Sequence, residues 1–137
     1  MFTEPSGSEL IVGKQPNLVG QPFEEFIAQG YWYENQLAEE ANVIWIRQNG
    51  LWHHLCFDED IVFWRSVDKG PSYQKPKKDD IWDFPLRDLN EEYGLAEQNL
   101  KEIQHKVIES KASIEFKFSN GFTLRVTSEN DTTKIET

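Results

Sequence analysis

Two Asn-Gly dipeptides constrain this chain more than any other feature. Asn49-Gly50 stands between "VIWIRQ" and "LWHHLCF", and Asn120-Gly121 between "SIEFKF" and "FTLRVTS". Asn and Gly tolerate the positive φ that tight hairpin turns demand, so NG between β-branched and aromatic runs specifies paired antiparallel strands. A third run, "IVFWRSV", follows the acidic turn Asp58-Glu59-Asp60. Residues 43–67 therefore read as a three-strand meander, and residues 113–128 as a hairpin.

Face matching sets the register of that second hairpin. A two-residue loop would pair Ser119 with Phe122 and put the apolar residues of the two strands on opposite faces. A three-residue loop, Ser119 to Gly121, pairs Phe118 with Phe122. Ile114, Phe116, Phe118, Phe122, Leu124 and Val126 then share one face. The expected turn is type I with a G1 bulge and Gly121 left-handed. Glu115, Lys117, Thr123 and Arg125 form the polar face. The strands of the first hairpin are apolar on both faces, which calls for cover on both: helices on one, and a loop, a second copy or a partner on the other.

Other segments read as helix. Phe23, Phe26 and Ile27 recur at i, i+3, i+4 after Pro22, with Gly30 as the stop. "YWYENQLAEEAN" fits strand and helix equally. Pro85 to Gly94 reads as a short helix after an extended entry. Ala96, Leu100, Ile103 and Val107 form one stripe, giving a main helix over about 96–109. The expected fold is α+β: a mostly antiparallel sheet of about five strands packed against helices. Residues 1–20 read as an N-terminal arm with "LIVG" as a short edge strand, and residues 21–137 as a single α+β domain. "DKGPSYQKPKKDD" reads as a long loop.

Charge narrows the function classes. Lys and Arg number 14 against 24 Asp and Glu, a net charge of -10. Phosphate backbones and anionic membranes need clustered cations, so neither is an expected partner. A basic protein is favourably steered by such a field. The lone Cys56 excludes an intramolecular disulfide, and no signal peptide or membrane span is legible; a cytoplasmic protein is expected. A homo-oligomer is left open.

"LWHHLC" invites a metal or nucleophile reading. Successive strand residues point to opposite faces, so His53 and His54 cannot share one metal. His54 and Cys56 share a face, but two ligands do not close a zinc site. His105, roughly 200° around the helix from Ile103, would face away from the apolar stripe. The segment reads as a strand with one buried, hydrogen-bonded histidine and one exposed. No metal and no cofactor is expected.

One enzyme-like pattern stands out. Glu115 and Lys117, with Asp83 upstream, faintly resemble the acid plus E-x-K signature of PD-(D/E)xK nucleases. That resemblance implies carboxylates holding Mg²⁺. A common strand tripeptide in an acidic chain explains the same residues without chemistry. A third possibility is a small-ligand domain with its pocket between helix and sheet.

The remaining signal is aromatic. The aromatic fraction is 13%, with five Trp, four Tyr and nine Phe. Trp and Tyr anchors ringed by charge are a protein-interface composition. The expected binding residues are Trp32, Tyr33, Asp58, Glu59, Asp60, Asp79 and Asp80, serving a protein partner that is basic. The stretches "VIWIRQNGLWHHLCFD", "IWDFPLRDL" and "IEFKFSNGFTLRV…END" resemble the layout of small acidic bacterial proteins of unknown function and of immunity proteins from toxin–immunity systems. The resemblance implies a cytoplasmic, acidic, non-enzymatic binder that occludes a basic toxin.

Overall fold

The structure is a computed structural model that describes residues 11–13, 15–58, 61–108, 111–130 and 132–137. Its elements are β1 (Ile11–Val12), β2 (Glu25–Tyr33), β3 (Gln36–Gln48), β4 (Leu51–Asp58), β5 (Ile61–Val67), β6 (Trp82–Asp83), β7 (Leu86–Asp88), α1 (Leu89–Tyr93), β8 (Leu100–Ile108), β9 (Lys111–Phe118), β10 (Thr123–Glu129) and β11 (Thr132–Glu136). The first sheet runs β1-β5-β4-β3-β2-β6, with β7 also paired to β2. Every pair in it is antiparallel except β1 with β5. The second sheet, β11-β10-β9-β8, is antiparallel throughout.

Period-2 burial explains how the sheets meet. Phe26, Ile44, Ile46 and Leu55 leave the first sheet on one side, and Ile114, Phe116, Phe118, Leu124 and Val126 leave the second. The two sets interlock as one core. The Phe26 ring meets the Phe116 ring edge-on at 5.1 Å, and Phe23 meets Phe118 at 5.8 Å. Edge-to-face packing suits the ring quadrupoles. At the hairpin tip Phe118 N donates to Phe122 O and Gly121 N to Phe118 O, with Gly121 at φ +92. The three-residue loop is therefore present, and the six apolar residues share the core face. At the other NG turn both Asn49 and Gly50 take positive φ, as a two-residue type I′ loop requires.

The α+β expectation is overturned: this is a nearly all-β chain of two packed sheets, and among the described residues no layer of helices covers either sheet. The segment expected as the main helix is strand β8. Its i, i+3 spacing has a physical origin. A register shift between Leu100 and Glu102 inserts one extra residue, which returns Ile103 to the face of Leu100. Ile103, His105 and Val107 then alternate regularly opposite Phe116, Ile114 and Ala112. One bulge imitates one turn of helix. The helix expected after Pro22 is β2, where Phe26, Ala28 and Gly30 alternate inward. Gly30 stops nothing. It sits at a register shift, where an added Cβ would crowd Glu39 O at 3.3 Å. The ambiguous "YWYENQLAEEAN" is a hairpin turning at Glu34 and Asn35, both at positive φ. The only described α-helix is α1, capped by Asp88, whose side chain accepts from Glu91 N, and closed by left-handed Gly94. It starts after Pro85 by several residues because Leu86–Asp88 pair with β2 instead.

The outer face of the first sheet is covered by the long loop. β5 lies near one edge and β6 at the other, so residues 68–81 must cross the sheet. Gly70 lies directly on the Trp52 indole, where a Cβ would collide with the ring. Trp52 shares the outer face with Trp45 and His54. The "DKGPSYQKPKKDD" segment is thus a strap, and its small residue sits where it meets a ring.

Candidate functional site

The strap ends at a corner built by two tight devices. Glu34 N, in the β2–β3 turn, donates to Ile81 O at 2.7 Å and fixes the incoming chain. Upstream, Asp80 Oδ2 accepts from Lys77 N at 2.8 Å while Asp80 N donates to Lys77 O, which closes a turn over 77–80. β6 then pairs Trp82 with Tyr33 and Asp83 with Trp32. Downstream, Gly30 N donates to Pro85 O, and Phe84 stacks on Tyr31 at 5.2 Å.

These contacts leave Trp32, Tyr33, Leu37, Ile81, Trp82 and Phe84 each between 38% and 51% exposed. Large apolar side chains are seldom left so open in one place without an interaction role. Cross-strand pairing puts Trp32 beside Leu37 and Asp83 on one face, and Tyr33 beside Trp82 on the other. The corner is therefore aromatic on both sides. Trp32 walls two clefts. One, of about 100 Å³, is also lined by Asn35, Pro76, Asp80, Trp82 and Asp83. The second, of about 190 Å³, is mostly apolar and includes Leu37, Pro85 and Leu86. Arg87 beside it is engaged by Glu92 at 2.7 Å and Glu40 at 3.4 Å.

The expected binding residues separate into groups. Trp32, Tyr33 and Asp80 meet at this corner, with Asp79 exposed in the same turn. Asp58 ends β4 opposite Ile61 and lines neither cleft. Glu59 and Asp60 lie outside the described residues. Sequence reasoning missed Trp82, Ile81 and Phe84 as members. Their signal was an aromatic run held extended by the following Pro85.

The nuclease-like set is not brought together. Asp83 is on β6 of the first sheet, whereas Glu115 and Lys117 are on β9 of the second, facing away from the core. Glu115 is almost wholly buried on that outer face. Arg125 Nη2 lies 2.9 Å from it, Lys106 Nζ 3.3 Å and Lys117 Nζ 3.9 Å. Burial alone would raise its carboxyl; the hydrogen bonds from Lys106 and Arg125 outweigh that and hold it below its ordinary value. Among the described residues no group of three or more His, Cys, Asp or Glu is placed to hold a metal ion. Among the described residues the pocket expected between helix and sheet is not seen: the short helix α1 lines neither cleft.

The histidines part company. His53 is buried on the core face, its Nδ1 2.7 Å from Ser66 Oγ. His54 is half-buried on the outer face against Trp45, not exposed. His105 faces inward, not outward as a helix would place it. Its Nε2 accepts from Trp64 Nε1 at 3.2 Å, joining the two sheets. Burial lowers all three histidines. Burial raises the Cys56 thiol, the opposite of what an activated nucleophile needs.

Comparison with protein-family models, with curated proteins and with solved structures finds no match. No helix among the described residues is long and apolar enough to cross a membrane.

Proposed function

We propose that this chain is a non-catalytic protein-binding module whose partner is basic, and that the aromatic corner is its contact surface. The observation that carries the reading is the convergence of Trp32, Tyr33, Ile81, Trp82 and Phe84, all exposed, on a chain of net charge -10. Exposed Trp and Tyr supply desolvated anchors, and the acidic field steers a cationic partner and accelerates encounter. An immunity-type binder that neutralises a basic toxin is a narrower form of the same reading.

The test is capture from the native host's lysate at low and high salt, with the wild type beside a Trp32→Ala/Trp82→Ala variant. One basic protein should be retained at low salt, weakened at high salt and lost in the double variant. An equal yield with the double variant would remove the corner from the mechanism. The absence of any basic partner at low salt would defeat the proposal.

A further inference from the structure

We infer that β8 is the edge through which two copies of this chain pair, antiparallel, about a twofold axis at Gln104. This edge belongs to the second sheet, away from the aromatic corner on the first, and the inference does not depend on the binding-module reading. Hydrogen-bond parity defines what the edge offers. Phe118 N donates to Phe122 O on the β10 side, and the next amide, Ser119 N, donates to Asn99 O on the β8 side. Alternation then commits Lys117, Glu115 and Ser113 to β8, opposite Glu102, Gln104 and Lys106. Ile103, His105 and Val107 turn their N–H and C=O away from β9. Leu100 O, the first outward carbonyl, accepts from Gly20 N. Among the described residues nothing bonds the outward backbone of the other three. The opposite edge of this sheet is guarded: Glu40 Oε1 accepts from Ile135 N, and Thr133 Oγ1 accepts from Ala41 N. The outermost strands of the first sheet, β1, β6 and β7, are only two, two and three residues long. β8 runs for nine residues without proline. A long edge with free amides is a template for a further strand.

Charge complementarity selects a second copy as the occupant. The outer face of β8 reads Glu102, Gln104, Lys106. Run antiparallel against itself, that face sets Glu against Lys, Gln against Gln and Lys against Glu. The register centred on Gln104 also satisfies the backbone. It places Ile103 opposite His105 of the second copy, and both have outward amides. Glu102 then meets Lys106 of the second copy in a non-hydrogen-bonded pair, where side chains approach most closely. Centred on Ile103 or His105 instead, the strands leave Lys106 opposite Leu100 or Gln104, with no carboxylate. The favoured register continues a row of alternating charge. Glu136 lies 3.6 Å from Arg125, Arg125 2.9 Å from Glu115, and Glu115 3.3 Å from Lys106. The row ends on a cation at this edge, and Glu102 of the second copy supplies the next carboxylate. A lysine on an edge ordinarily discourages pairing. Here Glu102 cancels that guard for a second copy. β8 carries Lys101 and Lys106 against Glu102, so the net charge of -10 opposes contact less here than elsewhere.

The test is sedimentation equilibrium of the full chain over a concentration series, with folding checked by circular dichroism. Wild type should move from the mass of one chain to that of two. Glu102→Lys and Lys106→Glu each set like charges across the axis, twice per dimer, and each should weaken association about tenfold. The double exchange Glu102→Lys/Lys106→Glu restores opposite charges in the same register and should recover association to near the wild-type level. Should Lys106→Glu fail to fold beside Glu115, Glu102→Lys still reads the loss, since that side chain is 54% exposed. Cross-linking reads the register independently. The Gln104→Cys thiol faces its own copy across the axis and should oxidise to a covalent dimer. Lys117→Cys, on the same face one strand inward, should not, and neither should wild type with Cys56 alone. A single-chain mass at every concentration would overturn the pairing. So would a dimer that neither single variant weakens, a double exchange no better than the singles, or equal cross-linking at 104 and 117. Trp32→Ala/Trp82→Ala should leave the dimer intact; a monomeric mass for that variant would move the interface to the corner and overturn the β8 assignment.

Discussion

Three cations close over Glu115, and the geometry decides what that carboxylate does. Its side chain is only 5% exposed, while Lys106, Lys117 and Arg125 remain 37–47% exposed. The carboxylate depends on its partners more than they depend on it. Glu115→Gln should lower stability by about 1–2 kcal/mol at pH 7, a modest loss because the cations stay wet. The sign with pH follows from the lowered folded pKa. Its contribution is present above the ordinary value of 4.5 and is lost as pH falls through the lower folded value. Denaturant melts of the two proteins should therefore converge in acid; a constant gap down to pH 3 would refute the assignment. Gly121 is a second local test. At φ +92, with open space around it, an added Cβ costs conformation and no contact. Gly121→Ala should cost about 1–2 kcal/mol, and Gly121→Asn less. Sequence logic reached Gly121 because its role is local. It read Glu115 as a polar-face residue and as part of a nuclease-like pattern, not as a buried carboxylate under three cations, because the Lys106 contact needs β8 as a neighbour and that segment read as helix.

At the level of elements, β8 holds the sharpest lesson. A strand with one bulge and a helix can share an i, i+3, i+7 apolar pattern, and periodicity cannot separate them. The missing discriminator was His105. Placed on a helix it leaves the stripe; placed on the strand it fills the alternation of Ile103 and Val107. The bulge makes a deletion test possible. Removing Lys101 should leave Leu100 opposite Phe118 and Ile103 opposite Phe116 with no register shift, at a cost within about 1 kcal/mol. Removing Gln104 instead reverses every residue on one side of it and should prevent cooperative folding. Circular dichroism with thermal melts distinguishes the two; equal damage from both would contradict the bulge. The NG hairpins were legible because turn chemistry and face matching agree. β2 was not, because Pro22 and Gly30 bracket it with helix signals while its pairing partners are set by tertiary contacts.

For the molecule as a whole, acid is the relevant stress. His53 and His105 line the core side of the two sheets and His54 the outer face, and burial lowers each. Each therefore takes up a proton on unfolding near its ordinary value of 6.5. Their stabilisation is complete above that pH and declines as pH falls through the lower folded values. The melting temperature should fall between pH 7.5 and pH 5. His105→Gln, whose side-chain oxygen can still accept from the Trp64 indole, should show a shallower fall. An unchanged slope would place the proton uptake elsewhere. None of this was visible in the sequence, since it depends on which face each histidine takes and on Trp64 arriving from the opposite sheet.

The strap over the first sheet also has a consequence in time. Turn-linked pairs such as β3 with β4 and β9 with β10 close over a few residues, on the microsecond scale of hairpins. Trp82 pairs with Tyr33 across the whole meander and the strap, a far longer loop to close than either hairpin. Loop entropy therefore favours closing the meander first, and the aromatic corner is expected to form later than the strands that support it. On the contact surface proposed above, a partner that reads the corner would select chains in which this long-range pairing has closed.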